Sequence, residues 1–394
     1  MNAFAQNPEV LLDRLLAVCA TQEASDMHLS PGLAPHFRVH GELTPLPGAP
    51  ELTAGEVERV GEVLLSRMAN RDASTADLET AVAAKGSVDG AMTAPDGVRF
   101  RFNIFRRQTE LAIALRRLED RFRTLAELGL PESLYQLCHL RDGLVVISGP
   151  TGAGKSTTLA AMLDHVNRTR AGHIITIEDP IEYVHQRVRC VINQRQVGLD
   201  APTFNDALVA SLRQDPDVVL VGEIRDLETI RMAITAAETG HLVFTTLHAG
   251  DCVGSVERLV SVFPSGEQEG IRRQLSLVLR GIVAQHLLPT ASAQGSRAGR
   301  PLSRVVASEI LMATTAVNNL IATGRSAQIY STMEAGSSLG MQTLEQDLAR
   351  LLVAGRISEA TAEAMARNVS ILRDRVNLLR RRSSPGAGPA GGKP

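Results

Sequence analysis

Gly149-Pro150-Thr151-Gly152-Ala153-Gly154-Lys155-Ser156, directly behind the β-branched run Leu144-Val145-Val146-Ile147-Ser148, decides how this chain is read. The octapeptide fits G-x-x-x-x-G-K-[ST] between a strand and a helix. Its glycines let successive backbone N–H groups turn inward around a polyphosphate, and the helix that follows aims its positive end at the anion. Lys155 is expected to reach the outer phosphates, Ser156 to offer its hydroxyl to Mg²⁺, and the binding segment to extend through Thr157.

The other strands of the same sheet are legible from composition. His173-Ile174-Ile175-Thr176-Ile177, Val218-Val219-Leu220-Val221 and Leu242-Val243-Phe244-Thr245-Thr246 are β-branched runs without alternation, as strands buried on both faces require. Leu227 to Thr239 begins after Asp226 and stops at Gly240, so a helix lies between two of them. Strands alternating with helices specify a parallel, right-handed α/β sheet.

Parallel strands end on one edge, so their terminal acids gather around a bound nucleotide. Glu223, closing Asp217-Val218-Val219-Leu220-Val221-Gly222, is the expected acid for Mg²⁺, acting through water. Glu178-Asp179-Pro180-Ile181-Glu182 adds three carboxylates beside it. A general base must reach the attacking water, so Glu182, projected beyond the strand by Pro180, is the first candidate and Glu178 the second. His241 and His248 stand at the two ends of one strand. His248, at the carboxyl end, is the candidate sensor of the terminal phosphate and His241 the second; a structural histidine is the alternative for each.

Ahead of this region, Asn7 and Pro8 start a helix carrying Leu11, Leu12, Leu15, Leu16 and Cys19. His36-Phe37-Arg38-Val39 and a run near Leu43 flank a tight turn at His40-Gly41. Thr53 and Glu56 form a capping box before Val57, Val60, Val63, Leu64 and Met68. Val98 to Ile104 alternates strictly, placing Val98, Phe100, Phe102 and Ile104 on one face and Arg99, Arg101 and Asn103 on the other. Arg99 and Arg101 are candidates to act in trans on a neighbouring subunit's nucleotide; two solvated arginines are the alternative. The expected organisation is a small α+β domain over residues 1–115, a linker over 116–131, the nucleotide-binding core over 132–290, a mostly helical part over 291–379 that follows a flexible loop from Thr290 to Ser303, and a disordered tail over 380–394.

The 394 residues are 44% hydrophobic, ample for real cores, and carry a net charge of −2, so no global field selects nucleic acid or an anionic membrane. Cys19, Cys138, Cys190 and Cys252 stand singly, which excludes C-x-x-C zinc spacing and suggests buried, reduced thiols in a cytosol. No apolar run reaches the roughly 20 residues of a membrane span, and the first residues lack a signal-peptide layout. A cytoplasmic protein is expected.

These residues together resemble the secretion-superfamily ATPases, and within them the PilT-type pilus-retraction family. Ser25-Asp26-Met27-His28-Leu29 with Phe37-Arg38-Val39-His40-Gly41 resembles that family's PAS-like amino-terminal domain, and Arg99-Phe100-Arg101-Phe102-Asn103 its arginine-bearing strand. Thr176 to Glu182 is similar to its Asp box, Asp215 to Glu223 to its Walker B segment, and Thr239 to His248 to its His box. The resemblance implies an α/β fold with a PAS-like domain before a RecA-like P-loop domain and a helical carboxy-terminal region. It implies ATP and Mg²⁺, Glu182 as catalytic glutamate, a ring that is hexameric by family habit, docking on an inner-membrane pilus platform protein, and a PilT- or PilU-like paralogue as a further partner. The tetracysteine motif of the related assembly and type II secretion ATPases is missing, and Ser338-Leu339-Gly340-Met341-Gln342-Thr343-Leu344 is similar to the retraction branch. Ala316-Val317-Asn318-Asn319-Leu320-Ile321-Ala322-Thr323 departs from the family's Ala-Ile-Arg-Asn-Leu-Ile-Arg-Glu, losing its charged positions, so an accessory paralogue or a secretion ATPase with altered coupling is the alternative. A nucleic-acid motor is disfavoured by 3% aromatic content and no tryptophan for base stacking.

Overall fold

The computed structural model describes residues 7–22, 24–39, 42–68, 78, 80, 82, 86–118, 122–291 and 304–383. The expected His40-Gly41 turn, residues 119–121 of the linker, residues 292–303 of the surface loop and residues 384–394 of the tail lie outside the described residues.

Strands β1 (Asp26–Leu29), β2 (His36–Val39), β3 (Glu42–Pro45), β4 (Ser87–Thr93), β5 (Arg99–Arg107) and β6 (Glu110–Arg117) form an antiparallel sheet ordered β3-β2-β1-β6-β5-β4. The alternation along β5 works as read: Phe100, Phe102 and Ile104 are buried, and the arginines take the other face. Two helices cover the apolar face. Pro8–Thr21 is capped by Asn7, which accepts the Glu9 N–H at 2.9 Å. Ala54–Arg67 starts on the Thr53–Glu56 capping box, with bonds of 2.8 and 3.3 Å in the two directions. Leu12, Leu15, Val57, Val60 and Leu64 bury against Phe37 and Phe100 from these helices.

The second sheet is ordered β13-β12-β7-β11-β10-β8-β9, from β7 (Gly143–Ser148), β8 (Gly172–Glu178), β9 (Cys190–Gln196), β10 (Val218–Val221), β11 (Leu242–Leu247), β12 (Leu279–Pro289) and β13 (Arg304–Met312). All neighbours are parallel except β12 and β13. Every residue of β7, β10 and β11 is buried, which explains their unbroken apolar runs. The register aligns Ile177 with Val221, Val221 with Thr245, and Leu247 with Ser148, so four strand tips end together. The four cysteines are free and buried, as small apolar residues.

Within the expected linker, Leu125 and Leu130 are buried in the same apolar cluster as Val145 and Phe244. The last helix, Val369–Ser383, continues past Arg380, where disorder was expected to begin. Arg380 and Arg381 complement the negative end of a helix, so local charge favours extending it. Among the described residues no helix is long and apolar enough to cross a membrane.

Candidate functional site

The phosphate loop leaves β7 at Ser148 and enters the Lys155–Thr169 helix through Gly154, whose φ of +88° suits glycine. Gly149 is held closer still. A Cβ there would stand 2.4 Å from the main-chain oxygen of Gln285, and its N–H donates to Leu247 O at 3.2 Å. The helix N-terminus has no side-chain cap, so its first N–H groups remain available to an anion. Pro150, Thr151, Gly152 and Ser156 are exposed along this rim, while Ala153 is buried beneath it. Lys155 is buried, and its Nζ donates to Gly149 O at 3.0 Å and Pro150 O at 3.1 Å, folded back over the loop. Burial lowers the Lys155 ammonium from its ordinary value, and Glu223 and Glu182 oppose the shift. Both predicted acids therefore lie near enough to act on the loop lysine.

Glu223 follows β10 by one glycine. Gly222 is pinned by an N–H bond to Ile177 O at 2.8 Å and by Thr246, whose hydroxyl donates to Gly222 O at 2.6 Å. The Glu223 carboxylate meets Arg225 at 2.6 Å and His248 Nε2 at 3.6 Å. His248 titrates below its ordinary value because of burial first and Lys155 second. The expected sensor histidine thus belongs to the site. His241 does not join it. It lies at the opposite edge of the sheet, where its Nδ1 sits 3.0 Å from Ala236 O. The physical reason is strand length: β11 holds the two rings apart at its opposite ends.

Glu178 ends β8 and accepts from the Thr176 hydroxyl at 2.7 Å and from Gln194 at 3.2 Å. Burial raises its carboxyl above the ordinary range, and these donated bonds offset the rise only in part. Glu178 lines one cavity with Ser156, Tyr183, Gly222 and Thr246, so the loop hydroxyl and this acid face the same space. Glu182 stands beyond it, its N–H 3.5 Å from Glu178 Oε2. Pro180, between them, follows a cis peptide bond.

Within one chain, Arg101 and Arg99 both lie near that chain's own acids. Arg101 Nη1 is 3.4 Å from Glu182 Oε1 of the same chain, with both side chains part exposed. Arg99 is lowered by burial and drawn up by Glu178, and its Nε is buried with no partner among the described residues. The polar face of β5 thus closes over the acids of its own chain. Alternation along one strand revealed that face, but not the acids it meets within the chain.

Three further residues escaped the sequence reading. Gln285 on β12 donates to Ala153 O at 2.8 Å; the Tyr183 hydroxyl donates to Thr157 Oγ1 at 3.0 Å; and Gln194 holds Glu178 and the Tyr183 carbonyl together. Each joins segments that no local pattern pairs, over separations of 11 to 132 positions.

A glycine-bound loop opening a helix on a parallel sheet, with acids and a histidine at neighbouring strand tips, defines a P-loop nucleoside-triphosphate-binding protein. More narrowly, the chain belongs to the family described as Type II/IV secretion system protein, which it matches over residues 5–369. It is 42% identical to the type IV pilus retraction ATPase PilT of Pseudomonas aeruginosa, over 90% of this chain and 98% of that one. It is 37% identical to the type IV pilus ATPase PilU of the same organism, over 93% of this chain and 91% of that one. Among solved structures, one of the pilus retraction motor PilT with bound ADP superposes with a TM-score of 0.81 at 39% identity, covering 92% of this chain and 99% of that one.

Proposed function

We propose that this protein is an ATP-hydrolysing motor of type IV pilus retraction, working in twitching motility. The observation that carries the reading is the convergence of Lys155, Glu223, Glu178, Glu182 and His248 on one sheet edge, in a chain similar throughout to PilT.

The residues fit the groups this activity needs. Uncapped N–H groups and a buried lysine suit a polyphosphate, and the orphaned Arg99 Nε faces the same seam. Oxygen donors at Ser156 and Glu223 suit Mg²⁺, which prefers one or two protein oxygens beside substrate phosphates and water. When bound, Mg²⁺ would neutralise charge developing on the phosphates. Lys155 exchanges its two loop carbonyls for phosphate oxygens. Glu182 orients a water and takes its proton as the water oxygen bonds to the γ-phosphorus and the bond to the bridging oxygen breaks. Glu178, whose carboxyl burial raises above its ordinary range, positions Glu182 through the backbone contact. Arg101 leaves or follows Glu182 as the seam between the two sheets shifts, which links hydrolysis to domain movement.

The wider reading is a hexameric ring in the cytoplasm, held peripherally at the inner membrane by a pilus platform protein, with a PilU-like paralogue as possible companion. The domain boundaries at 115, 131, 290 and 379 belong to the same proposal. Thr315–Ala322 is a regular helix capped by Thr314, so its lost charges alter a surface rather than the fold. Coupling to the pilus machine is where that difference acts.

The test is turnover by the purified chain. Glu182→Gln should lose at least about 100-fold in kcat with ADP affinity kept, as removal of a general base does. Lys155→Ala should lose nucleotide binding itself. Parental turnover by Glu182→Gln, or a deletion strain that twitches normally, defeats the proposal.

A further inference from the structure

Two histidines outside this site face each other. His139 caps the Tyr135–Cys138 helix just before β7, and His165 lies toward the far end of the Lys155–Thr169 helix. Their Nε2 atoms are 3.4 Å apart. A hydrogen bond between two ring nitrogens would close to about 3.0 Å, so this separation is long for one. It suits a shared metal better. With Zn–N bonds of about 2.0–2.1 Å, two nitrogens 3.4 Å apart subtend about 110° at the ion, the tetrahedral value. Ring centroids 5.2 Å apart agree with both rings aiming at one point, for which the same bond lengths require about 5.3 Å.

The pair is also pre-set. His165 stacks on Tyr135 with centroids 3.9 Å apart and planes within 19°, and the Tyr135 hydroxyl accepts the Leu125 N–H at 3.1 Å. The His165 ring is part buried and the His139 ring exposed. Asp164 beside it is engaged by Arg168 at 2.7 Å, and no cluster of three or more ligating side chains occurs among the described residues.

We propose that His139 and His165 form a two-histidine site for a transition-metal dication of the Zn²⁺ class, with water completing the sphere on the exposed side of His139. The ion would fasten the segment leading into β7 to the helix that opens at the phosphate loop. Neither ring touches the nucleotide site, so the proposal stands apart from the ATPase reading.

The experiment titrates the full chain with Zn²⁺ against a chromophoric zinc chelator, and repeats thermal unfolding with and without Zn²⁺. His139→Ala removes an exposed ring, and His165→Asn keeps a polar side chain, so both should fold and bind ADP as the parent does. The expected result is one Zn²⁺ per chain that raises the unfolding temperature, weakened at least about tenfold in each variant. Equal zinc affinity and stoichiometry in parent and variants, or no zinc-dependent stabilisation of the parent, would overturn the site.

Discussion

Replacing Gln285 by methionine tests whether β12 braces the phosphate loop. The side chain is fully buried; its Nε2 donates to Ala153 O at 2.8 Å, while its Oε1 has no partner among the described residues. Methionine keeps the length and the burial and deletes only the polar groups. Two terms then oppose each other. Leaving the Ala153 carbonyl unpaired costs about 1–3 kcal/mol, and removing an unsatisfied buried oxygen returns a similar amount. Gln285→Met should therefore leave global stability within about 1 kcal/mol of the parent. The loop nevertheless loses its tether. If the net worth of that hydrogen bond, about 0.5–1.5 kcal/mol, is what keeps the loop arranged for phosphate, ADP binding should weaken about 2- to 12-fold. Fluorescent-ADP titration gives the second quantity and urea unfolding the first. Unchanged ADP affinity with a large loss of stability would refute the reasoning, because Gln285 would then be a core prop with no hold on the loop.

Gly149→Ala should be far more damaging, since its Cβ would press against Gln285 O at 2.4 Å from a backbone with φ +146°. Strain and overpacking together predict a loss of about 2–6 kcal/mol by urea unfolding, and a change under about 1 kcal/mol would contradict the loop geometry. Glu178→Gln carries a pH signature. Because burial raises the folded carboxyl above 4.5, ionisation is penalised in the fold, so the cost is absent below that pH and grows as pH rises through the folded value. The variant should match the parent at pH 4 and exceed its unfolding free energy at pH 8. A difference that does not change with pH removes the burial argument.

How much of this was legible depends on how far apart the interacting residues lie. The phosphate loop, the buried strands that became β8, β10 and β11, the capping boxes and the two faces of β5 are local patterns, because strand burial and helix capping leave their mark within a few residues. Glu178, Glu182, Glu223 and His248 were readable one step further, since parallel strands must end on a shared edge. Strands β9 and β12 left no comparable trace. β12 follows the Gln268–Val278 helix without a turn between them, so no breaker announces it.

The amino-acid sequence by itself determined that Gly149 to Ser156 would form a glycine-rich loop between a buried strand and a helix, and which acids would stand nearby. Only the tertiary structure decided that Arg101 meets Glu182 of its own chain, that His241 turns away, that Gln285 holds the loop, and that His139 and His165 converge. Apart from His241, which bonds Ala236 five positions away, those pairings join residues separated by 26 to 132 positions. They follow from strand order and from how one sheet seats on the other, and no periodicity in a single strand or helix encodes either.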